Sequence, residues 1–216
     1  MNFHELSRLP NLFSLSRVII APALLILLGR DDTTSVVVAS VLFALAGLTD
    51  WADGYVARRT GAVTPLGIAL DPIADKIFAV VLVLGLIAFR EFPIWLAALV
   101  VGRDLLILAG GAYLLKRRDG LTLPSNLTGK WAFAALVVLL ATYLIRFPFG
   151  IQIMTPIASG LLLLSLTIYS RTFVRHWRNQ IVEPFADRTA YRIIRVSLAI
   201  AVAALLLFRL ATDLIR

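Results

Sequence analysis

The sequence predicts an all-α protein, a polytopic membrane helical bundle of six transmembrane helices with a C-terminal apolar helix. Three observations predict it. The 216 residues are 60% hydrophobic and only 16% charged, whereas soluble domains sit near about 45–50% apolar and about 25% charged. Mean hydropathy is +0.89. Apolar runs of about 20 residues, the length that crosses a bilayer core, recur between short polar loops.

Each element follows in order. Residues 1–8 read as a short interfacial segment with Phe3 and Leu6 on its apolar side. Pro10 and Asn11 open the first span, residues 12–28, with Arg17 in its first turns. Residues 30–34 form a polar loop. The second span, 35–57, carries Asp50 and Asp53 near its end. Residues 58–65 are a basic turn, and the third span, 66–89, begins with Gly67, Asp71 and Asp75. After the turn 90–93 comes the fourth span, 94–115, with Arg103 and Asp104 near its middle. A basic loop, 116–130, precedes the fifth span at 131–145, whose start can reach Asn126. The sixth span is 151–174. Trp95, Trp131 and Trp177 lie near span ends and read as interface anchors. Pro22, Pro72 and Pro156 are expected to kink their helices. The tail has an apolar run at 196–208, short for a span, so a tilted seventh span and an interfacial helix both remain open. The expected division is a membrane domain at 1–180 and a C-terminal extension at 181–216.

Loop charge sets orientation. Arg8, Arg17, Arg58, Arg59, Lys116, Arg117, Arg118, Lys130, Arg171, Arg175 and Arg178 fall on one side, and Arg30, Arg90 and Arg146 on the other. The first side is expected to be cytoplasmic. The net charge of +8 therefore reads as topology and attraction to anionic lipid. Nucleic acid is excluded as a partner, since no single basic face follows a phosphate backbone. There is no Cys, so thiolate chemistry and disulfides are excluded. No small-residue cleavage site follows a short apolar core, so no removed signal peptide is expected.

The chemistry concentrates between residues 50 and 75. Asp50 and Asp53 are three apart, and Asp71 and Asp75 four apart, which puts each pair on one helix face. A short turn joins the two helices, so the four carboxylates are expected to converge. Acidic groups beside hydrocarbon cost about 2.5–3.5 kcal/mol each at a helix centre on insertion scales, and like charges so close need a cation. Oxygen-only ligands suit Mg²⁺ or Mn²⁺. Gly54 and Gly67 allow close backbone approach of a ligand, Ala57 keeps that face small, and Arg58 can pair with a phosphate. The bland alternative, four helix-end charges paired with Arg58, Arg59 and Lys76, does not account for the two glycines and the fixed spacing together.

The run Asp50-Trp51-Ala52-Asp53-Gly54-Tyr55-Val56-Ala57-Arg58, followed by Gly67, Asp71 and Asp75, resembles the D-x-x-D-G-x-x-A-R…G-x-x-x-D-x-x-x-D signature of the CDP-alcohol phosphotransferase family. Every signature position is matched. The likeness covers most of the first six spans, including Leu9-Pro10-Asn11 and Arg17. It implies a cytoplasm-facing metal site, usually in a homodimer, where a hydroxyl attacks a CDP-linked lipid or alcohol and CMP is released. It implies that Asp50, Asp53 and Asp71 are metal ligands at the pyrophosphate. Asp75 matches the general base and can also touch metal. Gly54, Ala57, Arg58 and Gly67 match the CDP-binding positions. Localisation in a bacterial inner membrane is the matching expectation.

The acceptor is less legible. Arg103, the basic loop 116–118, Lys130, Arg171 and Arg175 form a second basic set, with Arg103 and Lys130 as candidate contacts to an acceptor phosphate. Positive-inside charge explains the loop and the end of the sixth span equally well. A pair with Asp104 or a packing contact is the bland reading of Arg103. The stretch from Gly102-Arg103-Asp104 to Ser125–Lys130 resembles the phosphatidylglycerophosphate and cardiolipin synthases of the family. Gly110 and Trp131-Ala132-Phe133 depart from the usual phosphatidylglycerophosphate pattern. Glycerol 3-phosphate is the first expectation for the acceptor, phosphatidylglycerol the second, inositol phosphate and serine behind them. A cation transporter would need polar groups across the bilayer, but residues 77–88 are nearly all apolar. A scaffold would leave the carboxylates dispensable.

Overall fold

The computed structural model describes the backbone over residues 9–60, 65–117, 127–178 and 211, and side chains over 15–49, 73–113, 127–175, 177, 178 and 211. Its elements are α1 (Leu9–Leu28), α2 (Thr33–Thr60), α3 (Pro65–Arg90), α4 (Ile94–Arg117), α5 (Leu127–Leu144) and α6 (Pro148–Trp177). The six apolar runs of the sequence correspond to these helices one to one. Most helices outrun their apolar stretch, because hydrogen-bond partners at the ends, not hydrophobicity, decide where a helix stops. Among the described residues, α4 over Ile94–Tyr113, α5 over Leu127–Leu144 and α6 over Pro148–Arg175 are long and apolar enough to cross a membrane. Shorter apolar stretches occupy Leu15–Leu28 and Thr33–Thr49. This is an all-helical integral membrane protein. The interfacial segment at 1–8 and the tail helix expected at 191–216 lie outside the described residues, residue 211 excepted.

The chain divides into two compact units, Met1–Phe92 and Pro93–Arg216. In the first, α1 packs against both α2 and α3. Its buried stripe is Arg17, Ala21, Leu24 and Leu28, a spacing that keeps one face turned inward. Ala39 and Ala46 of α2 and Ala74, Leu82 and Leu86 of α3 are buried in the same unit. Helices approach closely at Gly85, where a Cβ would lie 2.8 Å from Leu28 Cδ1. In the second unit α6 packs against α5 and α4. Ala158, Leu162 and Ser165 form its buried stripe, Leu96, Val100 and Arg103 that of α4, and Ala132, Leu136, Leu139 and Tyr143 that of α5. Leu105, Leu106 and Leu108 of α4 are exposed, as lipid-facing side chains are.

The turns are built by specific bonds. Asp32 caps α2: its carboxylate accepts the Ser35 backbone N–H at 2.8 Å and the Ser35 hydroxyl at 2.7 Å, satisfying a donor that the first turn leaves open. The Ser35 hydroxyl bond, then its backbone bond, holds the Asp32 carboxyl below its usual value. Two turns share a design. Glu91-Phe92-Pro93 follows α3 and Arg146-Phe147-Pro148 follows α5, with Glu91 at φ 54° and Arg146 at φ 52°. Phe147 donates its N–H to the Thr142 carbonyl at 2.9 Å, and Phe92 reaches one residue further back, to Leu86, at 3.2 Å. These bonds satisfy carbonyls at the helix ends. The Pro93 carbonyl accepts from Leu96 and Ala97 at the start of α4, and Pro148 is the first residue of α6, where its missing N–H costs nothing.

Two outcomes follow for stability in detergent. Because the folded pKa of Asp32 is lowered from 3.8, its stabilisation is complete above that value and is lost as pH falls through the lower folded one. Asp32→Ala should therefore melt below wild type at pH 7, and the two melts should converge in strong acid. Glu91→Gly removes a side chain from a left-handed position and should raise Tm by about 2–4 °C. A Tm that falls instead would show that Glu91 contributes more than its backbone strain costs.

Candidate active site

α2 continues unbroken through Asp50, Asp53 and Arg58 to Thr60, and α3 is already helical at Pro65. The helical backbone makes the 50/53 and 71/75 spacings same-face pairs. The side chains of Asp50, Asp53, Gly54, Ala57, Arg58, Gly67 and Asp71 lie outside the described residues. The donor set suits a hard divalent cation: four carboxylates, with no Cys in the chain and its two His at positions 4 and 176, far along the sequence. Among the described residues no group of three metal-type side chains occurs.

Asp75 is described, and it is not alone. Arg17 Nε of α1 lies 2.9 Å from Asp75 Oδ1. The contact is held by charge rather than by an aligned hydrogen bond at Nε. The pair is asymmetric: the Arg17 side chain is 3% exposed and that of Asp75 45%. The sequence reading counted Arg17 with the topological charges. The structure buries it on the packed stripe of α1, facing a carboxylate of the signature. A charged residue inside an apolar span is the signal that could have found this pairing.

The second basic set separates into parts. Arg103 is buried at 8% exposure. Its Nε and Nη2 each donate to Ser165 Oγ of α6 at 3.3 Å, and its Nη1 to Asp104 Oδ1 at 3.0 Å. The guanidinium carbon also lies 6.0 Å from the ring centre of Tyr169, within cation–π range. Both bland readings of Arg103, the Asp104 pair and the helix contact, are thus present together. Ser165 and Tyr169 were not singled out from sequence. Two polar groups four apart in an apolar helix, with an Arg in another span, were the available signal. Nearby in the same unit, Tyr113 of α4 stacks on Trp177 at 5.1 Å, with Phe173 against both at 6.1 Å. Lys130 lies near the start of α5 and is partly buried.

The end of α6 holds an open groove of 370 Å³ lined by Ser170, Arg171, Val174, Arg175 and Arg178. Arg171, Arg175 and Arg178 recur at helical spacing, so three guanidinium groups share one face. That arrangement fits a phosphate.

Residues 7–169 match the family model described as CDP-alcohol phosphatidyltransferase. The chain belongs to this family. Its members' signature falls at the α2 end and α3 start just described. A CDP-diacylglycerol–glycerol-3-phosphate 3-phosphatidyltransferase of Pseudomonas fluorescens is 34% identical over 183 residues, 78% of this chain and 91% of that protein. The protein of the same name from Bacillus subtilis (strain 168) is 31% identical over 162 residues, 66% of this chain and 83% of its own. A cardiolipin synthase (CMP-forming) of Rattus norvegicus is 38% identical over 121 residues, 56% of this chain and 38% of that protein.

The contacts of Arg103 make a measurable difference. Arg103→Leu removes the bonds to Ser165 and leaves Asp104 without this partner, so its Tm should fall well below that of Asp104→Asn, which keeps the α4–α6 contact. Equal melts for the two variants would show that the Ser165 bonds add nothing.

Proposed function

We propose that this protein synthesises phosphatidylglycerophosphate, transferring the phosphatidyl group of CDP-diacylglycerol to the hydroxyl of glycerol 3-phosphate with release of CMP. The arginine groove on α6 carries the choice of acceptor. Glycerol 3-phosphate is a small phosphomonoester dianion, and three guanidinium groups on one exposed helix face match its charge. Similarity running over most of the Pseudomonas fluorescens relative, named for this reaction, supports the reading. Cardiolipin synthesis from phosphatidylglycerol is the second reading, favoured by the higher identity, over a shorter stretch, to the rat cardiolipin synthase.

In this reading α1 to α6 are six spans of a homodimeric inner-membrane protein whose site faces the cytoplasm. The lipid tails of CDP-diacylglycerol stay in the bilayer and its headgroup meets the ends of α2 and α3. Gly54 and Gly67 admit the CDP moiety, Ala57 leaves room, and Arg58 pairs with its phosphate. Asp50, Asp53 and Asp71, with Asp75 as a further ligand, would hold Mg²⁺ or Mn²⁺. When bound, the cation neutralises the pyrophosphate and the charge that develops on CMP. Asp75 accepts the proton of the acceptor hydroxyl. The acceptor oxygen forms a bond to the phosphatidyl phosphorus as the bond from that phosphorus to the CMP oxygen breaks. CMP leaves with the electron pair, and the proton stays on Asp75 until solvent removes it. Arg171, Arg175 and Lys130 would supply positive charge for the acceptor phosphate. Arg103 commits three of its five N–H donors to Ser165 and Asp104 and would offer the others to the phosphate.

Purified protein in detergent with CDP-diacylglycerol and Mg²⁺ or Mn²⁺ tests this. CMP should appear with glycerol 3-phosphate and not with phosphatidylglycerol. Asp75→Asn should lower kcat by roughly 10²–10⁴-fold. Arg171→Ala with Arg175→Ala should raise KM for glycerol 3-phosphate by about 10-fold or more, leaving KM for CDP-diacylglycerol in place. CMP release with phosphatidylglycerol alone would make the protein a cardiolipin synthase and remove the groove from the account.

A further inference from the structure

We infer that Arg17 is the positioning residue for the Asp75 carboxylate. The inference rests on the reading of Asp75 as the group that takes the acceptor proton. Three observations carry it.

The first is the asymmetry of the pair. In an ordinary surface ion pair both partners are exposed, and either can leave. Here the Arg17 side chain is 3% exposed and the Asp75 side chain 45%. A guanidinium stays charged at every relevant pH. Buried in a membrane helix, it cannot exchange its counter-charge for water. Asp75, half in the open, is therefore fixed from behind by a partner that stays in place.

The second is the packing of Arg17 itself. It continues the stripe of Ala21, Leu24 and Leu28, all at most 1% exposed. The guanidinium thus lies within a helix contact instead of extending outward to the interface, as a long basic side chain near a span end usually does. On α3, Ala74 beside Asp75 is fully buried. Backbone and partner of the carboxylate are both held by packing.

The third is connectivity. The signature carboxylates are divided between α2 and α3, and α1 packs against both helices. Arg17 is the charged residue of α1 on that packed stripe. With Oδ1 2.9 Å from Nε, the buried charge keeps the carboxylate beside α1, and the part of it that remains exposed is held within reach of an incoming hydroxyl. Proton transfer is sensitive to such placement, and an error of about 1 Å can cost on the order of 10²-fold in rate.

Arg17→Gln and Arg17→Lys, purified in detergent and compared per folded molecule, test this. Arg17→Gln should lower kcat by on the order of 10²-fold, with KM for CDP-diacylglycerol and for glycerol 3-phosphate changed by less than about threefold. Arg17→Lys, which keeps the charge, should recover part of kcat. Unchanged kcat in folded Arg17→Gln would overturn the inference, and so would a raised KM for CDP-diacylglycerol at full kcat, which would make Arg17 a substrate contact. A thermal cycle reads the pair without activity. Asp75→Asn should lower Tm by several degrees when Arg17 is present and by little in the Arg17→Gln background. Additive losses would overturn the pairing. If wild-type protein releases no CMP with either acceptor, the phosphatidyltransfer reading falls. The melts then decide the pair alone: coupling keeps Arg17 as the residue that holds Asp75, and additivity removes it.

Discussion

A buried guanidinium must be answered by neighbouring groups, and among the described residues three of them organise the two units. Arg17, Arg90 and Arg103 are 2%, 7% and 8% exposed. None can lose its charge, and each is shielded from water by its neighbours. Arg17 meets Asp75 on α3. Arg90, at the end of α3, meets Asp31 and donates to the Arg30 carbonyl in the α1–α2 loop. Arg103 meets Asp104 and reaches Ser165 on α6. The Arg17–Asp75 pair fixes the register of α1 against α3 more strictly than leucine packing can, because a slip by one turn would strand a charge, and the Ser165 bonds of Arg103 do the same for α4 against α6.

The same constraint bears on function. In the first unit, buried charge is spent on holding a carboxylate of the reaction signature, so the stability of the helix contact and the geometry of the site share one interaction. In the second unit, the Arg103 clamp ties α4 to α6, and the aromatic stack of Tyr113 on Trp177 ties their ends again. α6 then carries Arg171, Arg175 and Arg178 outward on a helix that is anchored twice. A phosphate site gains from such anchoring, since ordering long side chains on a mobile helix would cost binding.

Much of this was legible in the sequence. Hydrophobic run length placed six helices, because lipid imposes a length on any span. The spacing of Asp50, Asp53, Asp71 and Asp75 located the signature, because helical period turns spacing into a shared face. The helix ends were less legible. The Arg146 and Glu91 turns use non-glycine residues at positive φ, and nothing local marks them except the Phe-Pro that follows each. The pairing of Arg17 with Asp75 joins positions 58 residues apart in number, and that of Arg103 with Ser165 spans 62. One sequence shows that each charge needs a partner but not which helix supplies it. That choice depends on which faces pack, and the faces of α1 and α6 differ from lipid-facing surface by a few small or polar side chains only.

The central claim is direct transfer from the CDP-lipid to a hydroxyl activated by Asp75, without a covalent intermediate on the protein. Single-turnover CMP formation from CDP-diacylglycerol, with divalent cation present and acceptor withheld, tests it most directly. The account predicts no CMP until the acceptor is added, since no attacking oxygen is in place before then. A stoichiometric burst of CMP without acceptor would contradict it, because the phosphatidyl group would have gone to the protein or to water.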